Sequence, residues 1–160
     1  MTLRLVVQPQ HCIGCRACEM ACAFTHGKDG QPGAPRCNTV TVGEDEYVPM
    51  MCLQCEHAAC VQVCPVDALS MNEVTGVVMV DSERCIRCMA CTVACPFGNM
   101  HYDRSLDLIH KCDLCAGHGD FPRCAMFCPT ECLQVEEVAE IRAHARPAAD
   151  GDTDGSEART

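Results

Sequence analysis

No tryptophan occurs in the 160 residues, and four Phe with two Tyr are the only aromatic side chains. Bulky groups that could fill a deep core are therefore scarce. No apolar run approaches membrane length. The start, MTLRLVVQPQHC, has one Arg and a short apolar stretch, too short for a signal-peptide core, and no twin-arginine pair follows. Positive charge is also in deficit, with 12 Lys and Arg against 22 Asp and Glu for a net charge of −10. A nucleic-acid partner wants a basic face, so that class is excluded. Gly-rich nucleotide fingerprints, nucleophile–base sets and paired cleft carboxylates are missing too. An enzyme with its own active site is not expected.

Cysteine is what the chain has in excess, at 18 residues. Such a content suggests that a metal or covalent framework replaces the core. The expected compartment is the cytoplasm, which is reducing, so the framework reads as metal-binding rather than disulfide-bonded. Sixteen of the cysteines form four groups. The first is CIGCRACEMAC, with Cys12, Cys15, Cys18 and Cys22. The second, CLQCEHAACVQVCP, holds Cys52, Cys55, Cys60 and Cys64. CIRCMACTVACP follows with Cys85, Cys88, Cys91 and Cys95, and CDLCAGHGDFPRCAMFCP with Cys112, Cys115, Cys124 and Cys128. Each group opens with two cysteines three apart and closes with two cysteines four apart, an internal repeat.

That spacing suits a cubic iron–sulfur cluster. A CxxC turn and a third thiolate just beyond it can hold three irons, while backbone N–H groups face the cluster's charge. The fourth cysteine, one helical turn on, points elsewhere; in two-cluster bacterial ferredoxins it ligates the other cluster. Zinc would not call for the recurring third and fourth positions, and catalytic thiols would not arrive in sixteens. Pro65, Pro96 and Pro129 follow the fourth cysteine in three groups and should end a short helix there. The first group has Ala23 instead, so its helix is expected to run on through CAFTH. Cys37, in the alternating stretch PRCNTVTV, reads as part of a short strand. Both it and Cys132 read as small buried hydrophobes rather than further ligands.

These motifs, together with CPVDAL, KCDLC and CPTECL, resemble the four-cluster ferredoxin-type electron-transfer subunits of anaerobic oxidoreductases. That family serves dimethyl sulfoxide reductase, formate dehydrogenase, nitrate reductase, hydrogenase, carbon monoxide dehydrogenase and tungsten aldehyde oxidoreductase systems. The likeness spans about residues 3–135. Departures are Gln54 and Ala59, where the second group often has His and Pro, and Arg87 in place of a usual Gly. The resemblance implies an α+β fold of two ferredoxin-like modules, one inserted in the other. Residues 1–45 and 101–135 would form the outer module and 46–100 the inserted one. A short helix in VEEVAEIRAHA and a disordered acidic tail would complete 136–160.

By the same resemblance the cofactors are four 4Fe-4S clusters. Cluster 1 would take Cys12, Cys15, Cys18 and Cys128; cluster 2, Cys22, Cys112, Cys115 and Cys124. Cluster 3 would take Cys52, Cys55, Cys60 and Cys95; cluster 4, Cys64, Cys85, Cys88 and Cys91. A cubane with four thiolates has no open position for substrate, so the expected function is one-electron relay. The implied partners are a catalytic subunit, with a tungsten or molybdenum pterin enzyme acting on an aldehyde or formate favoured over a nickel hydrogenase or carbon monoxide dehydrogenase, and a second redox protein such as a flavin subunit or ferredoxin. A freely diffusing polyferredoxin is the alternative. No direct membrane insertion is expected. Clusters near the surface at both ends would also permit end-to-end self-association. Sixteen thiolates outweigh the charge of the cluster cores, so the loaded chain would be more negative than −10 and suited to a basic docking face.

Beside the ligands, Arg87 reads equally as a cluster-tuning charge or a solvated one, whereas Arg16 and Lys111 read as solvated surface. His11, His57 and His118 read as exposed loop residues. The methionines, Met50, Met51, Met79, Met89 and Met126 among them, read as packing for irregular gaps.

Overall fold

The computed structural model describes residues 3–119 and 121–138. Among the described residues every strand belongs to one of four two-stranded antiparallel ribbons. β1 (Leu3–Val7) pairs with β8 (Leu133–Glu137), Leu3 opposite Glu137 and Val7 opposite Leu133, so the two ends of the described chain close on each other. β2 (Cys37–Gly43) turns back into β3 (Glu46–Met51). β4 (Leu69–Met71) pairs with β5 (Val78–Val80), and β6 (His101–Asp103) with β7 (Leu108–His110). Four helices alternate with these ribbons: α1 (Ala17–Thr25), α2 (Ala59–Gln62), α3 (Ala90–Ala94) and α4 (Arg123–Met126). Among the described residues no helix is long and apolar enough to cross a membrane.

Helix lengths follow the proline pattern. In α3 the helix stops at Cys95, whose extended backbone (ψ 111°) is what the following Pro96 demands. α1 has no such proline and continues past Cys22 to Thr25, with the His26 N–H bonded to Cys22 O. Cys37 opens a strand, as its alternating neighbours predict. The segment ALSMNEVTGVVMVD forms a complete hairpin, because Asn72 builds the turn. Its Oδ1 accepts the N–H groups of Val74 and Thr75 at 3.0 and 2.9 Å. β8 runs to Glu137, so the helix expected in VEEVAEIRAHA does not begin at Val135; the residues beyond 138 lie outside those described.

Two buried clusters make the core. One gathers Cys18, Cys22, Cys37, Met51, Cys112, Cys124 and Leu133; the other gathers Ala58, Leu69, Val78, Cys91, Met100 and Ile109. Sulfur takes the places that Leu or Phe would hold, and all four Phe are exposed. The division at 45/46 falls in the turn between β2 and β3, and Met51 packs in the first cluster. Ile109 packs in the second, so the β6–β7 ribbon sits with residues of the inserted segment rather than with the outer one. Polar bonds tie the two parts together. Arg4 donates to the Thr75 and Gly76 carbonyls at 3.3 and 3.2 Å, and Asn99 Nδ2 donates to Met51 O at 2.6 Å.

His101 and His110 stand opposite each other in the β6–β7 ribbon, their rings 5.7 Å apart. Burial holds both imidazoles below the ordinary histidine value, and for His110 the neighbouring His101 adds to the effect. Protonation is therefore easier in the unfolded chain. The ribbon keeps its full stability above about pH 6.5 and loses it as pH falls below that towards the depressed folded values. Amide exchange in β6 and β7, corrected for intrinsic rates, should accelerate between pH 7 and 5.5 in the holoprotein. The acceleration should shrink in His101→Phe; equal protection at both pH values would refute the effect.

Candidate metal centres

Each cysteine group folds into the same local shape. The residue before the second cysteine has a left-handed backbone in all four: Gly14 (φ 68°), Gln54 (52°), Arg87 (57°) and Leu114 (55°). A second left-handed residue follows in the first and third groups, Arg16 and Met89, which are also the N-caps of α1 and α3. Alternation of hand turns successive N–H groups toward one side and makes a concavity suited to negative charge. After the fourth cysteine the repeat continues, with Asp67, Gly98 and Glu131 left-handed at the same offset in the second, third and fourth groups.

Those turns aim backbone donors at sulfur. Ala68 N–H reaches Cys64 Sγ at 3.2 Å and Asn99 N–H reaches Cys95 Sγ at 3.4 Å. Burial opposes ionisation at Cys64 and Cys128. The N–H groups of Val66, Ala68 and Leu69 nevertheless hold the Cys64 thiol below its usual range, and those of Leu133, Thr130 and Cys132, with the Thr130 hydroxyl, do the same for Cys128. Cys22 has no Cys-Pro turn because α1 runs on; Arg36 N–H, from the segment before β2, supplies the bond at 3.2 Å.

Four small cavities lie among these turns. One is lined by Cys12, Cys15, Cys18 and Cys128, a second by Cys22, Cys112, Cys115 and Cys124. Cys52, Cys55, Cys60 and Cys95 surround the third, and Cys64, Cys85, Cys88 and Cys91 the fourth. Every cavity thus receives three cysteines of one group and one from another. Among the described residues, no three His, Cys, Asp or Glu side chains converge closely enough for a single ion. The third and fourth cavities offer four thiols and no carboxylate or imidazole, a donor set that fits a thiolate-ligated cluster. Of the eighteen cysteines only Cys15 and Cys88 are exposed, one at the first cavity and one at the fourth.

Cys37 and Cys132 are buried and also reach cavity walls, Cys132 in the first and Cys37 in the second. Hydrogen bonds to Cys18 and Cys22, then burial, push the Cys37 thiol up, and the same bonds draw Cys18 and Cys22 down. The Cys37 thiol donates to the Cys18 carbonyl at 3.6 Å, between the first and second cavities.

His11, His57 and His118 are exposed, as their loop positions predict. His26 was not legible as a site residue. Its side chain is 4 % exposed, lies 3.6 Å from Asp113 Oδ1 and stands edge-on to His118 at 4.8 Å. Burial lowers its affinity for a proton, but bonds to Cys115 and Cys22 outweigh this and raise its pKa to about 9. Asp113 also pairs with Arg36 and accepts the Cys115 N–H at 3.1 Å. The one sequence signal for His26 was its i+4 spacing from Cys22 on a helix that runs on. Lys111, read as solvated from its sequence neighbours, is 2 % exposed. Arg87 is held at the surface by Asp107, Nε to Oδ2 at 3.0 Å. Arg16 is exposed, and of the methionines Met51 is buried whereas Met126 is on the surface.

With this geometry in place, comparison with known proteins is direct. Residues 44–138 match the 4Fe-4S dicluster domain family, and residues 9–25 match a 4Fe-4S binding domain. The chain belongs to the 4Fe-4S ferredoxin-type electron-transfer subunits. This ferredoxin is 37 % identical to the polyferredoxin-like subunit of aliphatic sulfonate oxidoreductase from Pyrococcus furiosus, over 78 % of the chain and 70 % of that protein. It is 32 % identical to formate hydrogenlyase subunit 2 of Escherichia coli K12, over 81 % of the chain and 79 % of the relative. To the electron transport protein HydN of the same strain it is also 32 % identical, over 89 % and 94 %. A solved active-site complex BamBC of benzoyl coenzyme A reductase, with 1,5-dienoyl-CoA, shares the ferredoxin's fold. The TM-score is 0.50 at 23 % identity, over 99 % of this chain and 83 % of that one.

Gly14 tests the turn geometry. At φ 68° a side chain is strained, and a Cβ there would meet the Tyr47 ring at 2.7 Å. Gly14→Ala should weaken the loop of the first cavity by about 1–2 kcal/mol from backbone strain, with the ring clash in addition. Loss of visible absorbance in denaturant should be faster than in the parent protein. The double variant with Tyr47→Ala should recover the clash alone; full recovery would show that the left-handed turn carries no strain.

Proposed function

We propose that each of the four cavities holds one 4Fe-4S cluster and that the ferredoxin relays single electrons through them, between a catalytic oxidoreductase subunit and a second redox partner. The observation that carries this reading is the lining itself, four cysteines to each cavity with one always borrowed from another group. A bound cluster supplies reversible one-electron chemistry with no site for substrate. The chain's part is to bind and to order. Cys18 and Cys22 lie one helical turn apart on α1 and link the first cavity to the second. Cys60 with Cys64, and Cys91 with Cys95, bridge the third and fourth in the same way. Cys15 and Cys88 bring the two terminal cavities to the surface, where electrons can enter and leave. The cross-ligated arrangement supports two interlocked modules, with the cytoplasm as their compartment.

Cross-ligation is testable cysteine by cysteine. Cys12→Ser and Cys128→Ser should perturb the same component of the EPR spectrum, and Cys22→Ser should perturb the one altered by Cys112→Ser. If Cys128→Ser instead altered the component sensitive to Cys52 or Cys85, the pairing would be wrong.

Two of the relatives are subunits of larger enzymes, aliphatic sulfonate oxidoreductase and formate hydrogenlyase, and point to a catalytic partner. Both support an oxidoreductase complex, and a tungsten or molybdenum pterin enzyme is the partner proposed here, with a flavin subunit or small ferredoxin at the other end. Anaerobic purification from the native host, with metal analysis on the same peak, decides this. Co-elution with a large subunit and tungsten or molybdenum is the expected result. Nickel in that peak would replace the pterin partner with a nickel enzyme. Elution alone with about sixteen irons, four for each cluster, would make the protein a freely diffusing polyferredoxin.

A further inference from the structure

Lys111 and Gln54 are among the most completely buried large side chains in the molecule, each 2 % exposed. Lys111 Nζ donates to Gln54 Oε1 at 3.3 Å and to Cys112 O at 2.7 Å. Gln54 Nε2 donates to that same Cys112 carbonyl at 2.7 Å, and Gln54 Oε1 also accepts the Val78 N–H at 2.9 Å. The partners of the ammonium are thus neutral oxygens. The ion pairs of the described residues lie elsewhere, His26 and Arg36 with Asp113 and Arg87 with Asp107. An ammonium withdrawn from water without a counter-charge is strongly disfavoured. Something negative nearby must offset it.

Its location says what. Gln54 lies in the CxxC turn of the third cavity, whereas Cys112 opens the group around the second. Val78 belongs to β5 and also lines the third cavity. The ammonium therefore sits at the seam where the second cavity faces the third, the one junction not spanned by a helix carrying cysteines into both cavities.

Resting on the reading that the cavities hold clusters, we infer that Lys111, held by Gln54, is a positioning charge at this seam. It favours the more negative, reduced state of the two clusters that flank it, and so makes the crossing between the two halves of the relay the place where an electron is most readily held. The clusters in turn supply the counter-charge that the buried ammonium lacks.

The test is an anaerobic redox titration of the full-length holoprotein followed by EPR. Lys111→Met keeps volume and removes charge. Two of the four reduction steps should shift toward the oxidised form by tenfold or more, equivalent to 59 mV for a one-electron couple, with the other two within twofold of the parent. Lys111→Arg, which keeps the charge, should retain most of the parent behaviour. Gln54→Glu leaves the lysine in place but sets a carboxylate against it, and should move the same two steps in the same direction; it decides the matter if Lys111→Met fails to load iron. Four steps unmoved in Gln54→Glu and Lys111→Met, or four shifting together, would overturn the role of Lys111. A parent protein without four clusters would instead sink the reading beneath it, so the two failures are told apart.

Discussion

Sulfur atoms from segments far apart in the chain must face one another across a cavity, and the rest of the molecule follows from that requirement. Cys128 stands with Cys12, Cys15 and Cys18, so the two ends of the described chain have to meet, and the β1–β8 ribbon is where they do. Cys22 stands with Cys112, Cys115 and Cys124, and α1 packs against α4 to allow it. Helices stay short because each has only to carry one cysteine into one cavity and the next into another. Left-handed residues recur at the same offsets because N–H groups must turn toward those cavities. A chain with so few large apolar side chains has little else to fold around, so cluster assembly and folding are expected to be one event.

Several buried polar side chains are multiply engaged. Gln54 uses both ends of its amide, Asn99 bonds the Met51 carbonyl, and Asp113 receives Arg36, His26 and the Cys115 N–H. Buried polar groups are tolerated when they are paired, and their directionality fixes position more sharply than apolar contact does. The Gln54 amide joins the CxxC turn at the third cavity to the Cys112 carbonyl at the second. Relative placement of the two halves is thus set by hydrogen bonds at the seam. In an electron relay that placement matters, because transfer depends on the separation of the centres.

The Phe side chains were too few to build a core, and the structure does not use them for one. Phe24 and Phe127 instead lie on the surface with Met20, along a groove between α1 and α4 that reaches Cys15. Cysteines with a few Leu, Val, Ile, Ala and Met side chains fill the interior in their stead. Cys37 and Cys132 belong to this filling, yet each also stands in a cavity wall. Burial and a place beside the ligands are compatible for a small, weakly polar side chain.

Spacing alone grouped sixteen cysteines into four sets, because the repeat is local and survives any folding of what lies between. Local too were the helix that runs on past Cys22 for want of a proline, the one that halts at Cys95, and the strand at Cys37. The lending of a fourth cysteine between groups was not readable from spacing and rested on resemblance; chain closure through β1 and β8 decides which sulfurs share a cavity. The partner of a hairpin strand and the burial of Ile109 are likewise matters of contact. Lys111 shows the difference most plainly. Beside Cys112 in sequence it is an ordinary charged residue, solvated in most proteins. Only the arrival of Gln54 and Val78, distant in the chain, shuts water away from it, and only then does its charge have to be answered by its surroundings.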